Sequence, residues 1–251
     1  MRPAERTSSF APAELSDFPV SGLGQIERGQ PDPIEISFSG DSAEYAICFV
    51  DMVNSTMISA TLTHEELTRY YSIFLNNIAT IVVKHGGRVL KNGGDALIFC
   101  FKSKSEKLEN DKVLRSVLDC GLSIVDAWIH LNASTPAGKH KINYRVSADY
   151  GMVNIGKSVA VGSDDLFGLT VNLCAKINSM APLNGMVIGN SLYDKVKDFP
   201  DYEFNLVGTY SPKIADKSTI GLPDFLKSGY HAFSVKSATG KKSLNPFDPV
   251  R

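Results

Sequence analysis

The stretch Ile47 to Thr56, ICFVDMVNST, carries an apolar run into one acidic residue and then directly into small polar ones. Tyr45 to Val50 has no helical period and is rich in β-favouring side chains, which predicts a buried strand with Asp51 at its carboxyl end. Val53, Asn54, Ser55 and Thr56 then predict the start of a short helix, whose open N–H groups and positive dipole end suit a phosphate. A carboxylate beside such a turn is a hard oxygen ligand for a divalent cation that bridges to phosphate. Taken by itself, Asp51 is better read as a cap on the helix after it. A second acidic residue, Asp95, follows Asn92-Gly93-Gly94 in a hairpin signal, and the tight turn brings Lys91 and Asp95 to one end of a sheet.

These residues need elements to position them. Thr63-His64-Glu65-Glu66 reads as a capping box, and Leu67, Tyr70, Tyr71, Phe74, Ile78 and Ile81 follow at helical spacing up to Gly86-Gly87. That is an amphipathic helix packed on a sheet, with its aromatic pair in the core. Arg88 to Lys91 and Asp95 to Phe101 are short strands joined through Asn92-Gly93. Lys102 to Asp111 reads as a charged loop, and Val113 to Trp128 as a second amphipathic helix with the lone tryptophan in its packing. Ile142, Tyr144, Val146, Ala148 and Tyr150 alternate as a half-buried strand turning near Gly151, with Val153 to Val161 a candidate continuation. From Thr170 to Ala181 the period is helical again. Val171, Cys174 and Ile177 share one side there, and Asn172, Lys176 and Ser179 face away from the core.

Gly185 to Gly189 is a short strand, Ser191 to Asp198 a helix, and Tyr202 to Tyr210 with His231 to Val235 a terminal strand pair. The link Ser211 to Gly229 is long enough to be a flap or insertion. Strand, helix, hairpin, helix, strand is the split β-α-β order of a ferredoxin-like α+β core, with further αβ elements at its C-terminal end. One domain is expected over residues 41–236. Before it, residues 1–40 hold five of the twelve prolines and read as a flexible arm; after it, 237–251 read as a solvated tail.

The 251 residues carry 26 basic and 27 acidic side chains and are 43% hydrophobic, enough for an ordinary core. That balance leaves no electrostatic footprint for duplex nucleic acid or an anionic membrane, so a polyanionic partner must be small, such as a nucleotide. The chain shows neither a signal peptide nor an apolar run of spanning length, and a cytoplasmic location is expected. Cys48, Cys100, Cys120 and Cys174 lie inside apolar elements without CxxC spacing, which points to reduced core thiols. The five histidines form no ligand motif.

From about Tyr45 to Val235 the chain resembles the class III nucleotidyl cyclase homology domain. FVDMVNST, THEEL, KNGGD, YRVSADYGMV and LFGLTVNLCAKINS arrive in that family's order. The resemblance implies that Asp51 and Asp95, with the main-chain carbonyl of Met52, hold two Mg²⁺ or Mn²⁺ ions. It implies that Val53, Asn54, Ser55 and Thr56 form the phosphate loop, that Lys91 and Asp165 read the base, that Asn172 orients the ribose, and that the site is shared between two copies in a head-to-tail homodimer. A Lys donor beside a carboxylate acceptor suits the ring nitrogen and amino group of adenine, not guanine; cytosine shows the same edge, so ATP is favoured with CTP and other pyrimidines left open. Two departures stand out. Lys176 sits where most active members carry a transition-state arginine, and Met152 where some carry a triphosphate-binding arginine, with Lys157 or Lys213 as replacements. The implied activity is conversion of ATP to 3′,5′-cyclic AMP and pyrophosphate. A pyrimidine nucleotide cyclase and a degenerate, nucleotide-binding regulatory domain are the alternatives.

Overall fold

The computed structural model describes residues 36–133, 140–158, 163–211 and 228–240. Strand β1 (Ile36–Met52) is its spine, pairing antiparallel with β3 (Ala96–Lys102) on one side and β4 (Tyr144–Ser158) on the other. Hairpin partner β2 (Arg88–Gly93) edges the sheet beyond β3, while β6 (Met186–Gly189), β8 (Tyr230–Ser237) and β7 (Tyr202–Tyr210) continue it past β4. The order β2-β3-β1-β4 is the ferredoxin-like arrangement expected from the sequence, and β5 (Ser163–Phe167) pairs with the far end of β4.

Strand alternation divides the core in two. Ala46, Cys48, Val50 and Met52 of β1 and Tyr144, Val146, Ala148 and Tyr150 of β4 face the main cluster under helices α2 (His64–Lys84) and α3 (Lys107–Asp126). Short helices α4 (Trp128–Ala133) and α6 (Asn190–Val196) add Leu131, Leu192 and Val196 to that layer. The opposite phase, with Tyr45 and Ile47, packs under α5 (Leu169–Asn178) and against Leu166 of β5. The capping box forms as expected: Glu66 N donates to Thr63 Oγ1 at 3.3 Å, and Thr63 N to Glu66 Oε2 at 3.1 Å. All four cysteines are free and buried.

Five boundaries differ from the sequence reading. β1 begins at Ile36, inside the stretch read as the arm; the rest of that arm, most of the Ser211–Gly229 link and the tail past Gly240 lie outside the described residues. α3 begins at Lys107, because its first turns are solvent-facing charge, including a Lys112–Glu109 pair, and give no apolar period. The hairpin turns at Gly94-Asp95, not Asn92-Gly93: pairing continues through Asn92 with Leu97 and Gly93 with Ala96, and Gly94 takes the φ of +72° that the turn needs. β4 runs straight through Gly151, which serves close packing, since a Cβ there would lie 2.7 Å from Thr170 Oγ1. The Ser163 to Phe167 stretch, read as a loop, is strand β5. Trp128 is half-buried, its Nε1 donating to Asn143 Oδ1 at 3.0 Å.

One carboxylate is sealed in the second layer. Asp149 is 1% exposed and accepts from Tyr230 Oη at 2.6 Å and from its neighbour Tyr150 N at 2.9 Å. Burial pushes its pKa up to about 7 against the restraint of those hydrogen bonds. The folded state therefore holds this proton more tightly than the unfolded chain. Its contribution is full below the ordinary aspartate range near pH 4 and is lost as pH climbs toward about 7. Asp149→Asn imitates the protonated form, so its melting temperature should gain on wild type across that window and run parallel above it. Melting curves of the two proteins at stepped pH check this; parallel behaviour throughout would contradict it.

Candidate active site

β1 reaches the edge of the core at Asp51, whose strand neighbours are Ala96 on β3 and Arg145 on β4. Asp51 lies in phase with Ile47 and Phe49, which turns its carboxylate to the α5 side of the sheet. Asp95 occupies the second position of the β2–β3 turn, and Met52 N donates to the Asp95 carbonyl at 3.2 Å, tying that turn to the residue after Asp51. The two carboxylates, 44 residues apart in sequence, thus share one end of the sheet. Burial raises the pKa of Asp51, the charge of Asp95 raises it further, and Arg145 pulls it back.

Arg145 is the residue that sequence reasoning missed. Among the described residues, its Nε is the buried side-chain nitrogen left without a hydrogen-bond partner. A basic residue in the non-core phase of a strand start, between Tyr144 and Val146, was the available signal. The sequence reading instead sought this cation at Met152, Lys157 or Lys213. Met152 is exposed on the other strand phase, and the side chains of Lys157 and Lys213 lie outside the described residues.

The turn after β1 opens α1 (Ser55–Thr61) from Asn54, which sits in the left-handed region at φ 61° without a side-chain cap bond. Val53 N is already bonded to the Asn143 carbonyl at 2.8 Å, so it is not open to a phosphate. The first bond of the helix runs from Ile58 N to Asn54 O, leaving the amides of Ser55, Thr56 and Met57 ahead of it without intrahelical acceptors.

β5 folds over the second face, where Leu166 packs with Tyr45, Ile47, Cys100 and Cys174. This carries Asp165 to the β2 edge, and Lys91 Nζ donates to both of its oxygens, at 2.7 and 3.0 Å. Asp165 Oδ1 also accepts from Leu166 N at 2.9 Å, which fixes the carboxylate. The structure therefore brings together the two residues that the resemblance assigned to the base. Asn172 and Lys176 stand on the exposed side of α5, and neither contacts the Asp51–Asp95 end of its own chain; the charges acting on Asp51 are those of Asp95 and Arg145.

The donor set at the sheet end is all oxygen: two carboxylates and the main-chain carbonyl of Met52. Among the described residues no cluster of three or more His, Cys, Asp or Glu could hold a metal, so further ligands would come from a phosphate. That composition fits a hard cation such as Mg²⁺, which takes few carboxylates and keeps phosphate in its shell. No described helix is long and apolar enough to cross a membrane.

The chain is 24% identical over 151 residues to an adenylate cyclase of Streptomyces coelicolor, a match that covers 60% of this chain and 34% of that protein, so it spans about a third of the relative's length. Its fold superposes on the adenylyl cyclase CyaB of P. aeruginosa with a TM-score of 0.66 at 20% identity, covering 81% of this chain and 98% of the other. The guanylyl cyclase Cya2 gives 0.65 at 22% identity with the same coverage of each chain. Residues 39–220 match the sequence model of the adenylate and guanylate cyclase catalytic domain. With that match running through β1, the β2–β3 hairpin, β4 and α5, the chain belongs to the class III nucleotidyl cyclase family.

Proposed function

We propose that this domain converts ATP to 3′,5′-cyclic AMP and pyrophosphate in a head-to-tail homodimer. The observation that carries the reading is the convergence of Asp51 and Asp95, two like charges at one half-buried strand end, beside an arginine with an unpartnered buried nitrogen. Two Mg²⁺ or Mn²⁺ ions held by Asp51, Asp95 and the Met52 carbonyl would neutralise the triphosphate and activate the ribose 3′-hydroxyl. Arg145 supplies the fixed positive charge for the phosphate chain, the role sought at Met152, and the amides of Ser55 and Thr56 lie beside it in the Asn54 turn. Asn172 orients the ribose. Lys176 stabilises charge on the transferring phosphoryl group, with a point charge in place of the planar guanidinium fork.

The relatives include adenylyl and guanylyl enzymes, so the choice of base rests on this chain's own residues. Lys91 donates and Asp165 accepts, which complements the ring-nitrogen and amino edge of adenine. Guanine offers the reverse pattern and would leave polar groups unpaired at about 1–3 kcal/mol each. The outward placement of Asn172 and Lys176 supports the dimer, because a second copy is what can carry them to the carboxylates of this one.

Incubation of the purified protein with Mn²⁺ and each of the four nucleoside triphosphates, with products identified by mass, tests the reading. Cyclic AMP is the expected product. Cyclic CMP would keep the Lys91 and Asp165 roles but move the substrate to a pyrimidine, product from GTP alone would remove those roles, and no product would leave a regulatory binding domain.

Metal binding is separable from turnover. Mn²⁺ should raise the melting temperature of wild type and leave Asp51→Ala unchanged, since a ligand bound only by the folded state stabilises it by mass action. Equal shifts in both proteins would remove Asp51 from the metal site.

Lys176→Arg should raise kcat by roughly tenfold, and Lys176→Ala should lower it by roughly a hundredfold, the loss of one transition-state donor being about 3–4 kcal/mol at most. Steady-state kinetics on the three proteins decide this; an Arg variant slower than wild type would argue against that role.

A further inference from the structure

Helix α5 is joined to the sheet by more than apolar packing. Thr170, Cys174 and Asn178, spaced i, i+4 and i+8, are 7%, 0% and 6% exposed, and all three direct a donor at strand carbonyls. Thr170 Oγ1 donates to Met152 O at 3.0 Å, directly over Gly151, where a Cβ would block the approach. Cys174 Sγ donates to Ile47 O at 3.1 Å, and the Cys174 carbonyl accepts from Ser147 Oγ at 2.9 Å. Asn178 Nδ2 reaches Arg145 O and Ser147 Oγ, both at 3.2 Å, and Phe49 O at 3.5 Å.

The repeat is commensurate with the sheet. Four helical residues rise about 6 Å and two strand residues about 6.6 Å, so Cys174 and Asn178 step along β1 in time with Ile47 and Phe49. The next residue in that series is Asp51, and the main chain that Asn178 grips most closely is that of Arg145, the strand partner of Asp51. An apolar side chain at Asn178 would fill the same space while permitting the helix to slide; a buried amide fits only where its acceptors are.

We propose that Asn178 is a positioning residue: with Thr170 and Cys174 it locks the axial setting of α5 on β1 and β4, and so holds Asn172 and Lys176 at a fixed height on the outer face that, on the cyclase reading, they present to the carboxylates of the second copy. This rests on the cyclase reading above for its catalytic consequence, and on the structure alone for the lock itself. A slip of one helical turn would move both outward side chains by about 5.4 Å, beyond what a reacting geometry tolerates.

The test is Asn178→Leu in the full chain, read in two ways. Hydrogen exchange over α5 should quicken by about tenfold or more while β1 and β4 stay protected. With ATP and Mn²⁺, kcat should fall by about ten- to a hundredfold with KM within about twofold and the ATP-to-GTP preference unchanged, because Lys91 and Asp165 are not on α5. Unchanged α5 exchange overturns the lock. Unchanged kcat, or a fall in kcat that tracks a lowered melting temperature with KM rising in step, overturns the positioning role. If wild type turns over no nucleotide, the cyclase reading fails by itself, and the exchange measurement still decides the lock. Should Asn178→Leu not fold, Thr170→Val removes a single hydroxyl donor and must show the same split between kcat and KM; a variant matching wild type in both readouts overturns the proposal.

Discussion

Two carboxylates of like charge brought to one end of the sheet, where burial already penalises the ionisation of Asp51, form the constraint on which the rest of this structure depends. Asp51 is pushed toward its protonated form by desolvation and by Asp95, and Arg145 only partly offsets them. Nothing in folding alone favours such a pair. What holds it is strand register: a one-residue slip of β1 would turn Asp51 into the main core and bring Val50 or Met52 to the cleft. The main core resists that slip, because Cys48, Val50 and Met52 are buried against Phe99, Val146 and the α2 side chains. The one irregularity in the β1–β4 pairing lies between Phe38 and Ser42, at the end of β1 away from the site. Apolar packing on one face thus fixes an unfavourable charge arrangement on the other.

The second face uses polar contacts for what the first achieves by bulk. β5 is laid across it through Leu166 and closed at the β2 edge by the Lys91–Asp165 pair, whose side chains are half and one quarter exposed. An ion pair so open to solvent adds little to stability. On the proposed reading its use is geometric, setting a donor and an acceptor side by side at an edge where a planar ring can meet both. The same economy appears in α5, whose inner face carries hydroxyl, thiol and amide donors toward strand carbonyls while its outer face carries Asn172 and Lys176.

Much of this was legible in the sequence, for identifiable reasons. The strand alternation of Tyr144 to Tyr150, the helical period after Thr63 and the capping box are local signals, and the order β2-β3-β1-β4 follows from them by the split β-α-β rule. The Lys91–Asp165 contact is not local, its members being 74 residues apart in sequence, and is expected from the sequence only through the family resemblance. Arg145 escaped because a lone arginine between two core residues looks like the solvent phase of a half-buried strand; only the fold shows that this phase faces Asp51 and α5. Gly151 was misread because a glycine kept for close approach to Thr170 and one kept for a turn are the same letter.

On the proposed reading, the division of labour within one chain has a physical logic. Asp51, Asp95 and Arg145 gather the phosphate end of a nucleotide at the mouth of β1, while Asn172 and Lys176 stand on the far side of α5, separated from them by the helix itself. No side-chain rotation closes that gap, because the inner face of α5 is bonded to β1 and β4 at three levels and the helix cannot turn over without breaking all of them. On that reading the residues that complete one cleft come from a second copy. Association, on that reading, is part of the chemistry: α5 is bonded to its own sheet, and the relation between the two copies is where control of turnover can act.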